Sequence, residues 1–321
     1  MLEKMGMKLL GLIIPIIISL CMVHGYDLPD LPFKRLVIKS ATASKKLSSK
    51  NVKARKYIPK LDYKYKGATK KQPADAGSVP IGIDEQITGG ARAAKKKFPW
   101  QILLVGDDSW ICGGSLISTE WVLTAAHCIF GGTNFMISAG GVITKKFKEK
   151  GEQVWNSTTA IYHEEYNETT AQNDIGLVQV SFKFDQFVSA IRLPKYSQAT
   201  NAFAGIAVVI SGYGQTSDSS SASRFLKFAN MKTITNAQCA ILYDATFVTD
   251  SVICIGPEKV KSACFGDSGG PLMMRESDKK YTIIGTVSGG PEKCVGYIST
   301  FARVTSFLGW ISEKTSIAIE N

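Results

Sequence analysis

From Ile87 onward the chain is a succession of short apolar runs separated by clusters of turn residues. The segments Trp100–Val105, Ser115–Ile117, Trp121–Ala126, Ile175–Val180, Ile206–Ser211 and Tyr281–Ser288 are bounded by Gly, Asn, Asp and Ser. Runs of this length with punctuation of this kind read as strands, and many of them at close spacing read as an all-β barrel or sandwich. Helical spacing is evident only near the end, where Phe307, Trp310 and Ile311 fall at i, i+3 and i+4. The Ser-rich stretch Gln215–Ser223 reads as an exposed loop. No internal repeat and no nucleotide-binding glycine motif is evident.

The preceding residues have a different texture. The 321 residues carry a net charge of +11, but residues 26–86 hold 14 Lys and Arg against 6 Asp and Glu, while residues 87–321 hold 22 against 20. Residues 26–86 also carry five prolines and no cysteine, and their apolar residues keep no period. Such a stretch buries too little apolar surface to fold, so it reads as a basic, disordered prosegment. Lys53–Lys66, with tyrosines between lysines, offers a contact for a polyanion; the plainer reading is a solvated spacer. Residues 1–25 read as a secretory signal peptide cut before Tyr26. Lys4 and Lys8 precede an apolar run from Leu9 to Val23, and Gly25 supplies the small residue. A membrane anchor is the rival, but spanning needs about twenty apolar residues, and Pro15 interrupts this run.

If Cys21 leaves with the signal, Cys112, Cys128, Cys239, Cys254, Cys264 and Cys294 remain. An even count in an exported chain points to disulfides, with fifteen pairings open on number alone. Asn156 and Asn167 each begin an Asn-x-Ser/Thr acceptor triplet, which fits export, although such triplets also arise by chance.

Three segments carry chemistry. Thr124-Ala125-Ala126-His127-Cys128 sets a histidine at the end of an apolar run. Asn173-Asp174-Ile175-Gly176-Leu177 sets a carboxylate at the start of another. Gly266-Asp267-Ser268-Gly269-Gly270-Pro271 sets a serine among glycines. A serine hydroxyl is a weak nucleophile unless a base takes its proton, and histidine suits that task because it ordinarily titrates near neutrality. The base in turn needs a carboxylate to hold its tautomer and stabilise the imidazolium. Glycines let backbone N–H groups approach a developing oxyanion.

Taken together and in this order, the segments resemble the trypsin/chymotrypsin-like serine proteases. Ile87-Thr88-Gly89-Gly90, Phe98-Pro99-Trp100-Gln101 and Cys112-Gly113-Gly114-Ser115-Leu116-Ile117 also match. The resemblance covers about residues 87–316, and a protease domain is drawn at 87–321. It implies an all-β fold of two antiparallel six-stranded β-barrels with the active site in the cleft between them, and a C-terminal α-helix. It implies a secreted endopeptidase made as a zymogen, with His127 as general base, Asp174 as its orienting acid and Ser268 as nucleophile. The N–H groups of Gly266 and Ser268 would form the oxyanion hole, and Ser288 would pair with substrate backbone. Disulfides would join Cys112 to Cys128, Cys239 to Cys254 and Cys264 to Cys294. After cleavage, the new ammonium of Ile87 would pair with Asp267. No organic cofactor and no obligate oligomer is implied; the partners are protein or peptide substrates and an activating protease.

The departures from the family pattern bear on activation and specificity. Gln86 stands where a basic residue usually precedes the cut. Ser262, at the base of the S1 pocket, replaces the acid of trypsin-like members, Gly290 leaves the entrance open, and Ser299 makes the slot shallower. A Lys or Arg side chain would lie there desolvated and unpaired, so apolar or aromatic P1 residues are expected, with small ones next. Gly289 stands where an aromatic residue usually walls the neighbouring subsites. Four lysines within Lys145–Lys150 argue against bound calcium in that loop. Gln86, Gly289 and the basic prosegment motivate the alternative, a non-catalytic homologue that binds partners.

Overall fold

The computed structural model describes residues 90–144, 149–217, 219–241, 243, 246–257, 261–290 and 297–321, which belong to one unit, Ala54–Asn321. The expected signal peptide, the prosegment, Ile87 and Cys294 lie outside the described residues.

Two antiparallel sheets account for nearly all regular structure. The first contains β2 (Gln101–Gly106), β3 (Trp110–Leu116), β4 (Trp121–Thr124), β5 (Phe135–Ala139), β6 (Gln153–Ser157), β7 (Ala160–Tyr162) and β8 (Gly176–Gln179), in the order β6-β5-β2-β3-β4-β8-β7. Its two outermost strands, β6 and β7, are consecutive in the chain and separated only by Thr158 and Thr159. The sheet therefore curls until its edges are joined by the chain itself, and among the described residues no ladder crosses that seam. The six-stranded first barrel expected from the sequence is a curled seven-stranded sheet, because one bent strand is divided at the Thr158–Thr159 corner.

The second sheet contains β1 (Ala91–Arg92), β9 (Ala207–Gly212), β10 (Lys227–Ile234), β11 (Val252–Ile255), β12 (Pro271–Arg275), β13 (Tyr281–Gly289) and β14 (Ser299–Arg303), in the order β1-β10-β11-β14-β13-β12-β9. Pairing of β9 back onto β10, from Lys227↔Gly212 to Lys232↔Ala207, closes six of these strands into a barrel. The short β1 adds to its outside through Ala91↔Phe228 and Arg92↔Lys227.

Strand β2 explains why the sequence read as continuous apolar runs. Ile102 and Leu104 point into the core of the first barrel with Leu116, Val122, Phe135, Ile137 and Val178. Leu103, on the opposite face, joins a second cluster with Leu123, Ile175 and Leu177 of the first barrel and Met273, Ile283 and Val304 of the second. A strand buried on both faces loses the hydrophobic alternation of a half-exposed one. The second barrel has its own core of Val208, Ile210, Ala229, Ile253, Ile255, Leu272, Ile284 and Phe301. After β14 a 3₁₀ turn, Val304–Phe307, leads into the C-terminal helix, which buries Leu308 and Ile311 against the interbarrel cluster. It also reaches the first barrel, where Trp310 Nε1 and Lys314 Nζ bond Glu164 at 2.9 and 2.7 Å.

Disulfides join Cys112 to Cys128 and Cys239 to Cys254. Cys264 is also disulfide-bonded.

Candidate active site

His127 lies in the short helix α1 (Ala126–Ile129), which follows β4 directly. The neighbouring β8 runs antiparallel to β4, with Thr124↔Gly176, so the residues just before β8 come level with the start of α1. Asp174 occupies that position and is 1% exposed. One carboxylate oxygen accepts the backbone N–H of His127 at 2.9 Å, and the other lies 2.8 Å from His127 Nδ1. Both the position of the ring and the tautomer with hydrogen on Nδ1 follow from this clamp, which leaves Nε2 as the basic nitrogen. A third donor reaches the same carboxylate from the other barrel: Ser288 Oγ at 2.6 Å. The family resemblance implies for Ser288 only a role toward substrate backbone. Its bond to Asp174 spans 114 residues and has no local signature.

Ser268 is brought to this place by backbone contacts. Its carbonyl accepts the N–H of Gly113 on β3 at 2.7 Å. Gly269, with φ +76°, packs so closely on the first barrel that a Cβ would meet Thr124 Oγ1, Gly113 O and Ala125 N within 3 Å. Only glycine fits that approach, and Thr124 and Ala125 are the residues that lead into α1. Gly266, with φ +96°, is also in the left-handed region. The tight turn of these glycines is held by Asp267 N–H to Cys264 O at 3.0 Å and Gly270 N–H to Asp267 O at 2.8 Å.

Asp267 is buried, with its carboxylate bonded to the N–H groups of Gly214 and Cys264 at 2.8 and 3.0 Å. No cation faces it among the described residues. Desolvation pushes its pKa up to about 6, and the two backbone donors offset only part of that rise. A carboxyl whose folded pKa exceeds its unfolded value favours folding most when protonated. The uncut chain should therefore lose stability as pH rises from about 4 to about 6 and hold level above. The full effect is roughly 3 kcal/mol. Urea unfolding of the parent and of Asp267→Asn across this window tests it: the difference between the two should carry the slope. A difference independent of pH would refute it.

Of the residues expected at the S1 pocket, Ser262 and Ser299 are buried and Gly290 is exposed. Gly290 continues from β13, and Ser299 opens β14. A Cβ at Gly290 would have no neighbour nearer than Ile298 O at 3.9 Å, so the approach is open there. Ser262 Oγ has no hydrogen-bond partner among the described residues. Cys112, His127 and Cys128 hold three potential metal-ligand atoms within 4.8 Å of one another, but both sulfurs are spent in the disulfide. Asn156 and Asn167 are both exposed.

Residues 87–311 match the trypsin family model. The chain belongs to the trypsin family of serine endopeptidases. It is 36% identical over 234 residues to brachyurin of Leptuca pugilator, a match covering 72% of this chain and 99% of that one. It is 32% identical over 231 residues to chymotrypsin of Phaedon cochleariae, covering 70% and 81%. Among solved structures it is similar to HL collagenase, with a TM-score of 0.66 and 34% identity over 73% of this chain and all of that one. The all-β, two-barrel architecture with a C-terminal helix is that of this family.

Proposed function

We propose that this trypsin-family chain is a secreted endopeptidase made as a zymogen, in which Ser268 attacks, His127 serves as base and then acid, and Asp174 orients His127. The observation that carries this reading is the double clamp of Asp174 on His127, at the backbone N–H and at Nδ1. With Nδ1–H committed to Asp174, Nε2 takes the Ser268 proton as Oγ adds to the scissile carbonyl. The N–H groups of Gly266 and Ser268 receive the oxyanion, and His127 then returns the proton to the leaving amine. Water repeats the sequence on the acyl-enzyme. The Ser288 hydroxyl and the Gly113 N–H lock base and nucleophile across the two barrels.

Residues 1–25 are assigned as signal and 26–86 as prosegment, leaving 87–321 as the protease. Cleavage between Gln86 and Ile87 would free an ammonium for the buried carboxylate of Asp267, which otherwise has no counter-charge among the described residues. Among the described residues no helix is long and apolar enough to cross a membrane. The buried Ser262 and open Gly290 support cleavage after apolar or aromatic residues, with small apolar residues as the second preference.

The test is labelling with an organophosphate-type serine reagent before and after removal of residues 26–86, followed by a peptide library. Processed material should carry the label on Ser268 and cleave after Phe, Tyr or Leu far faster than after Arg. Absence of labelling after correct N-terminal processing would leave only a non-catalytic binding role.

A further inference from the structure

Short segments of both barrels lie side by side on a face that shares no residue with the site above. Ala93 N–H donates to Leu226 O at 2.8 Å, Leu226 N–H to Val142 O at 2.9 Å, and Thr144 N–H to Arg224 O at 2.9 Å. Residues 91–97 thus run beside 223–228, which run beside 142–144. Lys95 Nζ reaches Glu149 at 3.4 Å, and Lys96 Nζ donates to Gln186 Oε1. The assembled surface is basic. Arg92, Lys96, Lys97, Lys150 and Arg224 are exposed, and Lys95 is half-buried. Its acids are taken up by neighbouring donors. Glu149 accepts the N–H groups of Val142 and Ile143 at 2.8 and 2.6 Å, and Glu152 the Ser138 hydroxyl at 2.6 Å. Asp185 accepts those of Phe187 and Val188 at 2.7 and 2.8 Å. Among the described residues, Lys95 alone of the six cations pairs with a carboxylate. The others crowd onto ring faces, two of the rings taking a pair of like charges. The Arg92 and Arg224 guanidiniums lie 3.6 and 5.7 Å from the centre of the Phe225 ring. The Lys96 and Lys95 ammoniums lie 4.7 and 5.3 Å from that of Phe187, and Lys97 lies 3.6 Å over Phe228. A ring face attracts each cation weakly, whereas two cations at one ring repel, and an anion beside them relieves that repulsion.

We propose that this face docks a sulfated polysaccharide along Arg92, Lys95, Lys96, Lys97 and Arg224, outside the catalytic cleft. The choice of occupant rests on the reading of the chain as exported, which brings it to such polymers. Charge excludes the chain's own prosegment, because residues 26–86 hold 14 Lys and Arg against 6 Asp and Glu. Arg92-Ala93-Ala94-Lys95-Lys96-Lys97 is a dense basic run of the kind that polyanions recognise. Each guanidinium offers a planar fork that fits the oxygens of a tetrahedral oxyanion, while the ammoniums act as point charges farther along. A stiff polymer with regularly spaced charges loses little freedom when it lies on this surface. An acidic peptide must be ordered residue by residue, which favours the polysaccharide at equal charge. Docking here concentrates the chain on a polyanionic matrix and leaves the catalytic cleft open.

The experiment expresses the full-length chain in a eukaryotic host and titrates it with a heparin dodecasaccharide, its desulfated form, polyglutamate and single-stranded DNA. Heparin should bind at about 0.1 M salt and the desulfated form should not. Arg92→Gln, Lys96→Gln, Lys97→Gln and Arg224→Gln combined should weaken heparin by at least about thirtyfold and reduce the salt slope by about 3. Lys95 stays in place because it bonds Glu149. Lys96→Gln with Lys97→Gln alone, which keeps both guanidiniums over Phe225, should cause about half that loss on a logarithmic scale. Two control sets should each change affinity by less than about threefold. One is Lys232→Gln, Arg275→Gln, Lys279→Gln and Lys280→Gln on the second barrel. The other is Lys53→Gln, Arg55→Gln, Lys56→Gln and Lys60→Gln in the prosegment. Unchanged unfolding midpoints show that the variants are folded. Equal losses from the patch and a control set would overturn the proposal, as would polyglutamate or DNA binding more tightly than heparin at equal charge. N-terminal sequencing reads export separately: material retained with residues 1–25 intact would overturn that reading and the choice of occupant with it, whatever the affinities.

Discussion

Replacing Ser268 with alanine should lower kcat on a peptide substrate by about a millionfold, while KM and the unfolding midpoint stay near those of the parent. The size follows from the arrangement. In the proposed triad His127 is already held by Asp174, and Asp174 by Ser288, so removing the hydroxyl would leave a preformed base with no nucleophile to activate. For the same reason the losses do not add. His127→Ala should cost about as much as Ser268→Ala, and the double variant should be no slower than either single one. The residual rate in all three comes from the oxyanion donors and substrate binding. Steady-state and single-turnover kinetics on processed enzyme are the measurement. A single variant that keeps its rate within about tenfold of the parent, or a double variant much slower than both singles, would mean that the three groups do not act as a unit.

Arg303 should matter to stability more than a surface position does. It is 6% exposed, yet no carboxylate is bonded to it among the described residues. Instead, Nε donates to Asp250 O at 2.8 Å, Nη1 to Ala202 O at 2.9 Å and Nη2 to Val252 O at 2.9 Å. Longer bonds of 3.3 Å reach Asn201 O and Asn236 Oδ1. One guanidinium therefore satisfies the carbonyls of two loops and one strand, and burial lowers its pKa without removing its charge. Arg303→Met should destabilise the folded chain by about 3–5 kcal/mol, because several buried carbonyls lose their donor at once. Arg303→Lys should recover only a small part, since a single ammonium cannot span the same fork of acceptors. Urea unfolding with an unchanged m-value is the check, and a loss below about 1 kcal/mol for Arg303→Met would show that water replaces the guanidinium readily.

The sequence was most informative where chemistry or burial is written into a short contiguous stretch. The segments around His127, Asp174 and Ser268 were legible because each carries its signature within five to seven residues. Strands β2, β4, β8 and β13 were legible because burial on both faces, or nearly so, keeps most of their residues apolar. Strand β10 was not singled out. Its alternation of buried Lys227, Ala229, Met231 and Thr233 with more exposed partners places polar residues at inward positions. Strand β6 was hidden for the opposite reason, since its apolar Val154 and Trp155 face solvent. What joins distant segments left no trace, namely the Ser288–Asp174 bond and the guanidinium of Arg303 among backbone carbonyls, nor did the bend of one strand at Thr158–Thr159. These depend on how the sheets curl, which no local pattern encodes.

The bond between Cys112 and Cys128 sits one residue from Gly113, which holds Ser268, and one residue from His127 itself. Both sulfurs are buried, at 3% and 0% exposure, so a reductant reaches them only when the first barrel breathes. A single covalent link thus anchors the supports of the proposed attacker and base together. The working lifetime of this catalyst is therefore tied to the oxidising character of its surroundings.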